Sequence, residues 1–258
     1  MSLFQLINTV LIANLKKAGV TAHTSHYLIG NLISEKSVVV DLGANVGRFY
    51  SLMYEKYGAR CYAVESSEAL YKNLPQVAGL KAYNCAIGKA NGQALFYTSQ
   101  NQEANSMNHS VSEHWGIVNS SLVRQRKLSS FFSEENIPLP VDVLKIDVEG
   151  AELDIVNSLP APLLSKILQI PLEIHDFLIE TPEYLKNLEK VRVKLQHNNF
   201  LIIKISDGDW RETLCINRNL IKLNPNQLFR LQFLHPMIQA LKRIHINCSK
   251  LLKSVRQN

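Results

Sequence analysis

Residues 38–47, Val-Val-Val-Asp-Leu-Gly-Ala-Asn-Val-Gly, constrain this chain more than any other stretch. Three consecutive β-branched residues favour a strand covered on both faces, and the glycines let the backbone turn sharply before a helix opens at Arg48. Strand, glycine turn and helix in that order make a nucleotide-cofactor turn. Gly43, Ala44, Asn45 and Gly47 bring backbone close to the ligand, and Asp41 stands at the strand tip. A carboxylate there repels a pyrophosphate placed on the adjoining helix N-terminus. S-adenosylmethionine (SAM) has no phosphate and carries a sulfonium and an ammonium, so an acidic, glycine-lined turn suits it. A dinucleotide, normally held by Gly-x-Gly-x-x-Gly, is the rival ligand.

The helix after the turn ends at Gly58, and residues 60–64 give a second strand that closes on Glu65-Ser66. This βαβ unit places the second strand beside the first. Glu65 then meets the cofactor ribose, because a carboxylate about twenty residues past the turn can accept from both ribose hydroxyls. Ser66 lies at the same strand end. After a helix near 68–74 and a short strand at 80–84, Asn84-Cys85-Ala86-Ile87-Gly88 is placed to meet the adenine, with the Asn84 amide matching its edge and Ala86 beside it.

Residues 99–113 form a long polar stretch, which reads as a lid over the site. His109 and His114 within it read as solvated loop histidines. A short helix at 128–132 precedes the second informative stretch, Val141-Asp142-Val143-Leu144-Lys145-Ile146-Asp147-Val148-Glu149-Gly150-Ala151-Glu152. Residues 143–146 read as a central strand in which Lys145 must find a partner for its charge. Asp147 sits at the strand tip, period-2 geometry sends Glu149 to the same side, and Glu152 complements the dipole of the next helix.

The turn at 41–47 and the stretch at 144–152 together resemble the FkbM family of SAM-dependent methyltransferases. Glu65-Ser66 and Asn84–Gly88 are similar to what that family has between them, and the resemblance runs over about residues 37–217. It implies a class I methyltransferase fold, Rossmann-like and doubly wound, with seven mostly parallel strands and a C-terminal antiparallel hairpin. It also implies O-methylation, often of sugar hydroxyls or of hydroxyls on polyketide-type metabolites. Ser129-Ser130 departs from the acidic pair usual in that segment of the family.

Residues 167–175 read as the next strand, with Pro171 tolerable at a bulge or an unpaired point, and Glu173 and His175 alternate to one face at its carboxyl end. A helix near 183–196, a strand at 200–205, a turn at Asp207-Gly208-Asp209 and a strand at 212–216 complete the sheet. Methylating an alcohol requires removal of a proton, and His175 is the first choice of general base, with Asp147 and Glu149 positioning the acceptor and Asp147 also facing the sulfonium end of SAM. Asp147, Glu149, Glu173 and His175 form a set that a hard divalent cation could use, but the reading assigns no metal.

The chain divides into an N-terminal helical cap at 1–36, a methyltransferase domain at 37–217 and a basic amphipathic tail at 218–258. The net charge of +6 comes from the tail: residues 215–258 hold eight Lys or Arg and no Asp or Glu. The body is slightly acidic, which argues against a nucleic-acid groove across it. Leu234, Ile238, Leu241, His245, Cys248, Leu252 and Val255 share one face of the tail helix, and Lys242, Arg243, Lys250, Lys253 and Arg256 lie opposite, a pattern suited to an anionic membrane surface or a glycolipid. Four widely spaced cysteines fit buried thiols in a reducing cytoplasm, the apolar N-terminal run reads as a packed helix, and a second helical stretch at about residues 26–33 leads into the first strand. The resulting expectation is a cytoplasmic SAM-dependent O-methyltransferase of a saccharide, glycolipid or related metabolite, able to touch the inner face of the membrane through residues 226–258. A nicotinamide-dependent oxidoreductase and a non-catalytic membrane- or nucleic-acid-binding module are the alternatives.

Overall fold

The computed structural model describes residues 2–101, 105–175, 181–205 and 210–255, with residues 251–255 described in their backbone alone. From the N-terminus, α1 (Leu3–Lys17) leads into a hairpin of β1 (Thr21–His23) and β2 (His26–Leu28). Then come β3 (Val38–Leu42), α2 (Arg48–Tyr57), β4 (Arg60–Glu65), α3 (Glu68–Lys72) and β5 (Leu80–Asn84). Next are β6 (Ala86–Gly88), β7 (Gly92–Ser99), α4 (His109–His114), β8 (Ile117–Lys127) and α5 (Leu128–Glu134). The chain continues through β9 (Val141–Ile146), α6 (Glu152–Ser158), α7 (Ala161–Leu164), β10 (Ile167–Glu173), α8 (Pro182–His197), β11 (Phe200–Lys204) and β12 (Glu212–Asn217). A π-helical turn at Arg230–Leu234 joins α9 (Pro225–Phe229) to α10 (His235–Val255).

The main sheet has seven strands in the order β5-β4-β3-β9-β10-β12-β11, and β12 runs antiparallel to both of its neighbours. That is the doubly wound, mostly parallel arrangement expected, with the antiparallel hairpin last. All five residues of β3 are buried, and alternate ones enter opposite layers. Val38, Val40 and Leu42 join Phe131, Leu144 and Ile155 on one side, while Val39 joins Phe49, Tyr50 and Met53 of α2 on the other. The strand is therefore apolar throughout except at Asp41. The ladder between β10 and β12 runs unbroken past Pro171, which stands opposite Leu214, so no bulge is needed there. The turn expected at residues 207–209 lies outside the described residues.

Two segments differ from the sequence reading. Residues 26–33 were expected to be helical and instead form β2 and a short 3-10 turn at Gly30–Leu32. Two β-favouring triplets around Thr24-Ser25 make a hairpin, and the end of β2 is tied to the sheet where the Ile29 N–H donates to Gln169 Oε1 at 2.9 Å. The second difference is β8, an eleven-residue strand in a side sheet ordered β6-β8-β7. It carries little apolar patterning because only Arg126 is buried, held by Glu134 and Glu135 at 2.7 and 2.6 Å. Nor does Ser129 or Ser130 cap α5, whose N-cap is Lys127; the Ser130 hydroxyl accepts from Asn91 instead.

Both termini pack on one edge of the sheet. Leu15, Val20 and Ile29 from the N-terminal segment and Ile221 and Leu231 from the C-terminal one share a core with Ile203, Leu214 and Ile216. Cys61, Cys85 and Cys215 are buried free thiols and Cys248 is exposed. No helix among the described residues is long and apolar enough to cross a membrane.

Candidate active site

The carboxyl ends of β3, β4, β9 and β10 converge on one edge of the sheet, where the two informative stretches meet. The register sets Asp41 beside Lys145, and the Lys145 ammonium lies 3.1 Å from Asp41 and 3.3 Å from Asp147. It also donates to the carbonyl of Gly43 at 2.8 Å. Lys145 thus finds the partner its burial demands, and one ammonium pins the turn to two strands. Burial works against the Lys145 charge, but the two carboxylates outweigh it and raise its pKa. Burial likewise disfavours an ionised Asp147, yet Lys145, His26 and His175 hold its carboxyl well below the usual range.

Asp41 itself is fully buried and lines neither cavity of the site, contrary to the expectation that it faces the cofactor. Burial pushes its carboxyl up and the neighbouring ammonium opposes that. Its charge is spent within the protein, so Asp41 shapes the turn through Lys145 and does not select the ligand directly. Gly43 is demanded by close packing as much as by ligand approach. Its φ is +77°, and a Cβ there would lie 1.7 Å from the carbonyl oxygen of Asp147. Gly47, at φ +81°, would likewise drive a Cβ into Tyr50 and Pro75, and it lines neither cavity.

Glu149 adopts φ 56° just before Gly150, in the left-handed region that side chains avoid. A relay holds it there. The Glu152 carboxylate accepts from the N–H of Gly150 at 2.8 Å and lies 3.0 Å from His175 Nδ1, and His175 Nε2 lies 3.1 Å from Glu149. Burial alone would lower the His175 pKa, but hydrogen bonds to Glu149 and Glu152 overcome it and carry it up to about 12. An imidazolium so held is a clamp and lacks the free lone pair of a base. Because His175 also lines neither cavity, the expectation that it takes the acceptor proton is revised.

Two cavities open on this edge and share Gly43, Asn45, Asp147 and Glu149. The first runs past Glu65, Ser66, Leu70, Phe96 and Asn105. Glu65 is buried at its wall, its oxygens accepting from the N–H groups of Asn45 at 2.8 Å and Ser67 at 2.7 Å. Glu65 and Ser66, at the end of β4, both line this cavity. The space is narrow, about 60 Å³, well under the ~300 Å³ at which ligand pockets begin, so Phe96 and Asn105 must give way for a nucleoside to enter.

Asn84 and Ala86 are not in this cavity. The Asn84 amide donates to the carbonyls of Glu65 and Ser66 at 2.9 and 3.2 Å, tying β5 to β4, while Ala86 is buried in β6. The side-chain N–H groups of Asn84 are thus taken up between two strand ends. The described part of the expected lid is a docked flap. Ser106 donates to the carbonyl of Glu149, Tyr97 and Ser106 exchange backbone hydrogen bonds, and Val111 of α4 is buried beside Gly150. His109 and His114 line neither cavity of the site. Residues 102–104 of this stretch lie outside the described residues.

The second cavity, about 470 Å³, is lined chiefly by polar groups: Thr24, Ser25, His26, Arg48 and Glu173 join the four shared residues. His26 comes from the hairpin and was missed from sequence, where it was assigned to a helix. Its Nε2 lies 3.5 Å from Asp147 and its Nδ1 lies 3.9 Å from Glu173, with Phe49 packed edge-on against the ring. The signal was present in the Thr-Ala-His-Thr-Ser-His-Tyr alternation at 21–27. Burial first, and then the Asp147 charge, raise the Glu173 carboxyl to about 7. His26, Asp147 and Glu173 form one group with metal-ligand spacing and Asp147, Glu149 and His175 another. Within these groups Lys145 answers Asp147 and the clamped His175 answers Glu149.

Comparison with known proteins bears on the same residues. A family model described as the methyltransferase FkbM domain matches residues 41–202, from Asp41 to Ile202. Methyltransferase 1 of Beauveria bassiana is 26% identical over 147 residues, covering 48% of this chain and 59% of that protein. The AMB antimetabolite synthetase AmbE of Pseudomonas aeruginosa is 30% identical over 145 residues, covering 52% of this chain and 7% of the synthetase. The chain thus spans between a small part and about three-fifths of the curated relatives it matches. Among solved structures, precorrin-6y C5,15-methyltransferase of Geobacter metallireducens aligns over 82% of this chain and 86% of its own, at 10% identity and a TM-score of 0.36, too low to add to the strand order. The family match spans well over half the chain and takes in both stretches that build the site. The chain belongs to the FkbM methyltransferase family.

Proposed function

We propose that the chain is a SAM-dependent O-methyltransferase whose acceptor is a hydroxyl of a saccharide or glycolipid. The observation that carries this reading is the meeting of two cavities at Gly43, Asn45, Asp147 and Glu149, one walled by a ribose-competent carboxylate and the other by a carboxyl with a pKa near 7. Glu65, Ser66 and Asn45 fit a nucleoside, and the carboxylates at the junction fit a cationic centre. SAM supplies a methyl carbon on an excellent leaving group, which leaves the protein to align the acceptor and take its proton.

Glu173 is the proposed general base, replacing His175. A base is most effective when its pKa lies near the working pH, and the Glu173 carboxyl, at about 7, meets that condition. His26, 3.9 Å away, holds Glu173 in place and faces the same cavity. The polar lining from Thr24, Ser25, His26 and Arg48 supplies many donors and acceptors, which suits a polyhydroxylated acceptor. Asp147, held ionised by Lys145, sits at the junction where a sulfonium would lie. Asp41 is buried and faces neither cavity, so it does not itself exclude a dinucleotide; family membership is what favours this reading over the nicotinamide one. The test is transfer of labelled methyl from SAM to a panel of sugars, glycolipids and amines, with thermal stabilisation by S-adenosylhomocysteine measured in parallel. Stabilisation with label on hydroxyls supports the proposal; label on amines alone, or no stabilisation at saturating S-adenosylhomocysteine, rejects it.

A further inference from the structure

Helix α10 is apolar on two faces. On one face Leu231, just ahead of it, and His235, Ile238 and Gln239 are buried, and the His235 and Gln239 side chains donate to the carbonyl of Lys204 at 2.9 and 2.6 Å. This divides the single apolar face read from sequence, in which Leu241 shared a side with Ile238. Leu241 instead belongs to an outward stripe, Phe229, Phe233, Met237, Leu241 and Ile244, each 53–65% exposed. Residues spaced by four and three align along one side of a helix, so these five form a continuous band. The side chains of Leu252, Lys253, Val255 and Arg256 lie outside the described residues.

Helix α1 lies alongside and runs antiparallel. Arg230 and Asn14 exchange hydrogen bonds of 3.1 and 3.2 Å at one end, and the Lys242 ammonium lies over the Phe4 ring at the other. Leu3, Leu6 and Val10 of α1 are themselves 44–55% exposed, so the unburied apolar surface extends over two packed helices. Single exposed leucines are ordinary, whereas a band across neighbouring elements marks an interaction surface. Charge identifies the partner. Residues 1–34 and 213–258 hold ten of the 28 Lys and Arg and none of the 22 Asp and Glu, which leaves residues 35–212 with 18 basic and 22 acidic side chains.

We propose that α1 and α10 form a two-helix platform that docks on an anionic lipid bilayer, the outward stripe entering the headgroup boundary and the basic side chains meeting lipid phosphates. The platform sits at a useful edge. β10 and β11 both run antiparallel to β12, so their carboxyl ends lie on the same side of the sheet. α10 is bonded to the end of β11 at Lys204 and Ile205, and Glu173 closes β10. Docking would therefore place the acceptor-side edge of the sheet toward the lipid.

The test is sedimentation of the full chain with vesicles of phosphatidylglycerol and phosphatidylcholine, against vesicles of phosphatidylcholine alone. Its readout is binding, so its outcome is separate from that of the methyl-transfer assay. The expected result is binding to the anionic vesicles that weakens with salt and falls at least about tenfold in the Phe233→Ser/Met237→Ser/Leu241→Ser variant. The variant should keep the melting temperature of the parent and its response to S-adenosylhomocysteine. Arg243→Glu/Lys250→Glu, which leaves the apolar stripe intact, should lower binding to anionic vesicles only. Equal binding by parent and triple variant, or no binding to either vesicle, overturns the proposal. So does a parent dimer in sedimentation velocity that the triple variant disperses without any vesicle binding, which would make the stripe a contact between two copies.

Discussion

At the carboxyl edge of β3, β9 and β10 the charges are buried and paired, Lys145 with Asp41 and Asp147, His175 with Glu149 and Glu152. Along α1 and α10 the fixed charges are all positive, and apolar side chains share the surface with them. The first region uses charge to hold backbone in conformations it would otherwise leave; the second presents charge of one sign beside exposed apolar side chains, a surface suited to a partner outside the chain. Substitutions should accordingly cost rate and stability at the first and partner binding at the second.

The largest expected effect is on catalysis at Glu173. Removing a general base lowers kcat by about 10²–10⁴-fold, so Glu173→Gln should fall in that range while cofactor binding persists. In the parent, kcat should rise with pH through a limb near 7 as the carboxyl ionises, and the variant should lose that limb. A limb unchanged in Glu173→Gln would return the base to another residue. Next is the buried pair. Lys145→Met strands Asp41 and Asp147 and should cost about 3–5 kcal/mol in denaturant unfolding. The double variant Asp41→Asn/Lys145→Met should recover part of that, because the uncompensated buried charge at position 41 is then gone. If the two single costs simply add, the pairing is not what holds the turn.

Much of this first region was legible in the sequence because parallel strands with buried charges leave a strong record. The apolar run of β3, the glycine turn, Glu65 at the end of β4 and the Asp147–Glu149 strand end follow from residue type and spacing, and each occupies its expected place. Roles were less legible than places. Asp41 and His175 are where they were expected, but the side chains that neutralise them decide what they do, and no spacing rule shows that Lys145 reaches position 41 or that Glu152 reaches back to His175. His26 was lost because a three-residue strand has too short a period to separate from a helix turn, and β8 because ten of its eleven residues lie partly or fully exposed and carry no apolar alternation. On α10 the helix was visible, but with apolar residues on two faces the sequence could not say which one the sheet would take.

Cofactor affinity probes the wall of the first cavity. Glu65→Ala removes the acceptor for a ribose and leaves the N–H groups of Asn45 and Ser67 unpaired, so SAM binding should weaken about 10–100-fold by calorimetry, with Glu65→Gln intermediate. A smaller effect concerns pH. The His175 pKa is raised in the folded state, so its stabilisation is complete below the unfolded value of 6.5 and is lost as pH rises toward about 12. Melting temperature should therefore decline from pH 7 to pH 10, and His175→Gln should flatten that slope even though it starts lower. A parallel decline in both proteins would assign the slope to other groups.

The smallest expected effect falls on the outward face of α10, and its smallness sharpens the comparison. Leu241 is 53% exposed and Ile238, one turn earlier, is 6% exposed. If the outer stripe were core, Leu241→Ser would cost as much as a buried truncation; if it is surface, the change should stay within about 0.5 kcal/mol. Replacing Leu by Ser there removes apolar area that water already reaches, so the folded and unfolded chains lose nearly the same hydration penalty. The same replacement at Ile238 opens a void on the buried face of α10 and should be plainly destabilising. A melting temperature that drops equally for the two substitutions would mean that another part of this chain covers the stripe in solution.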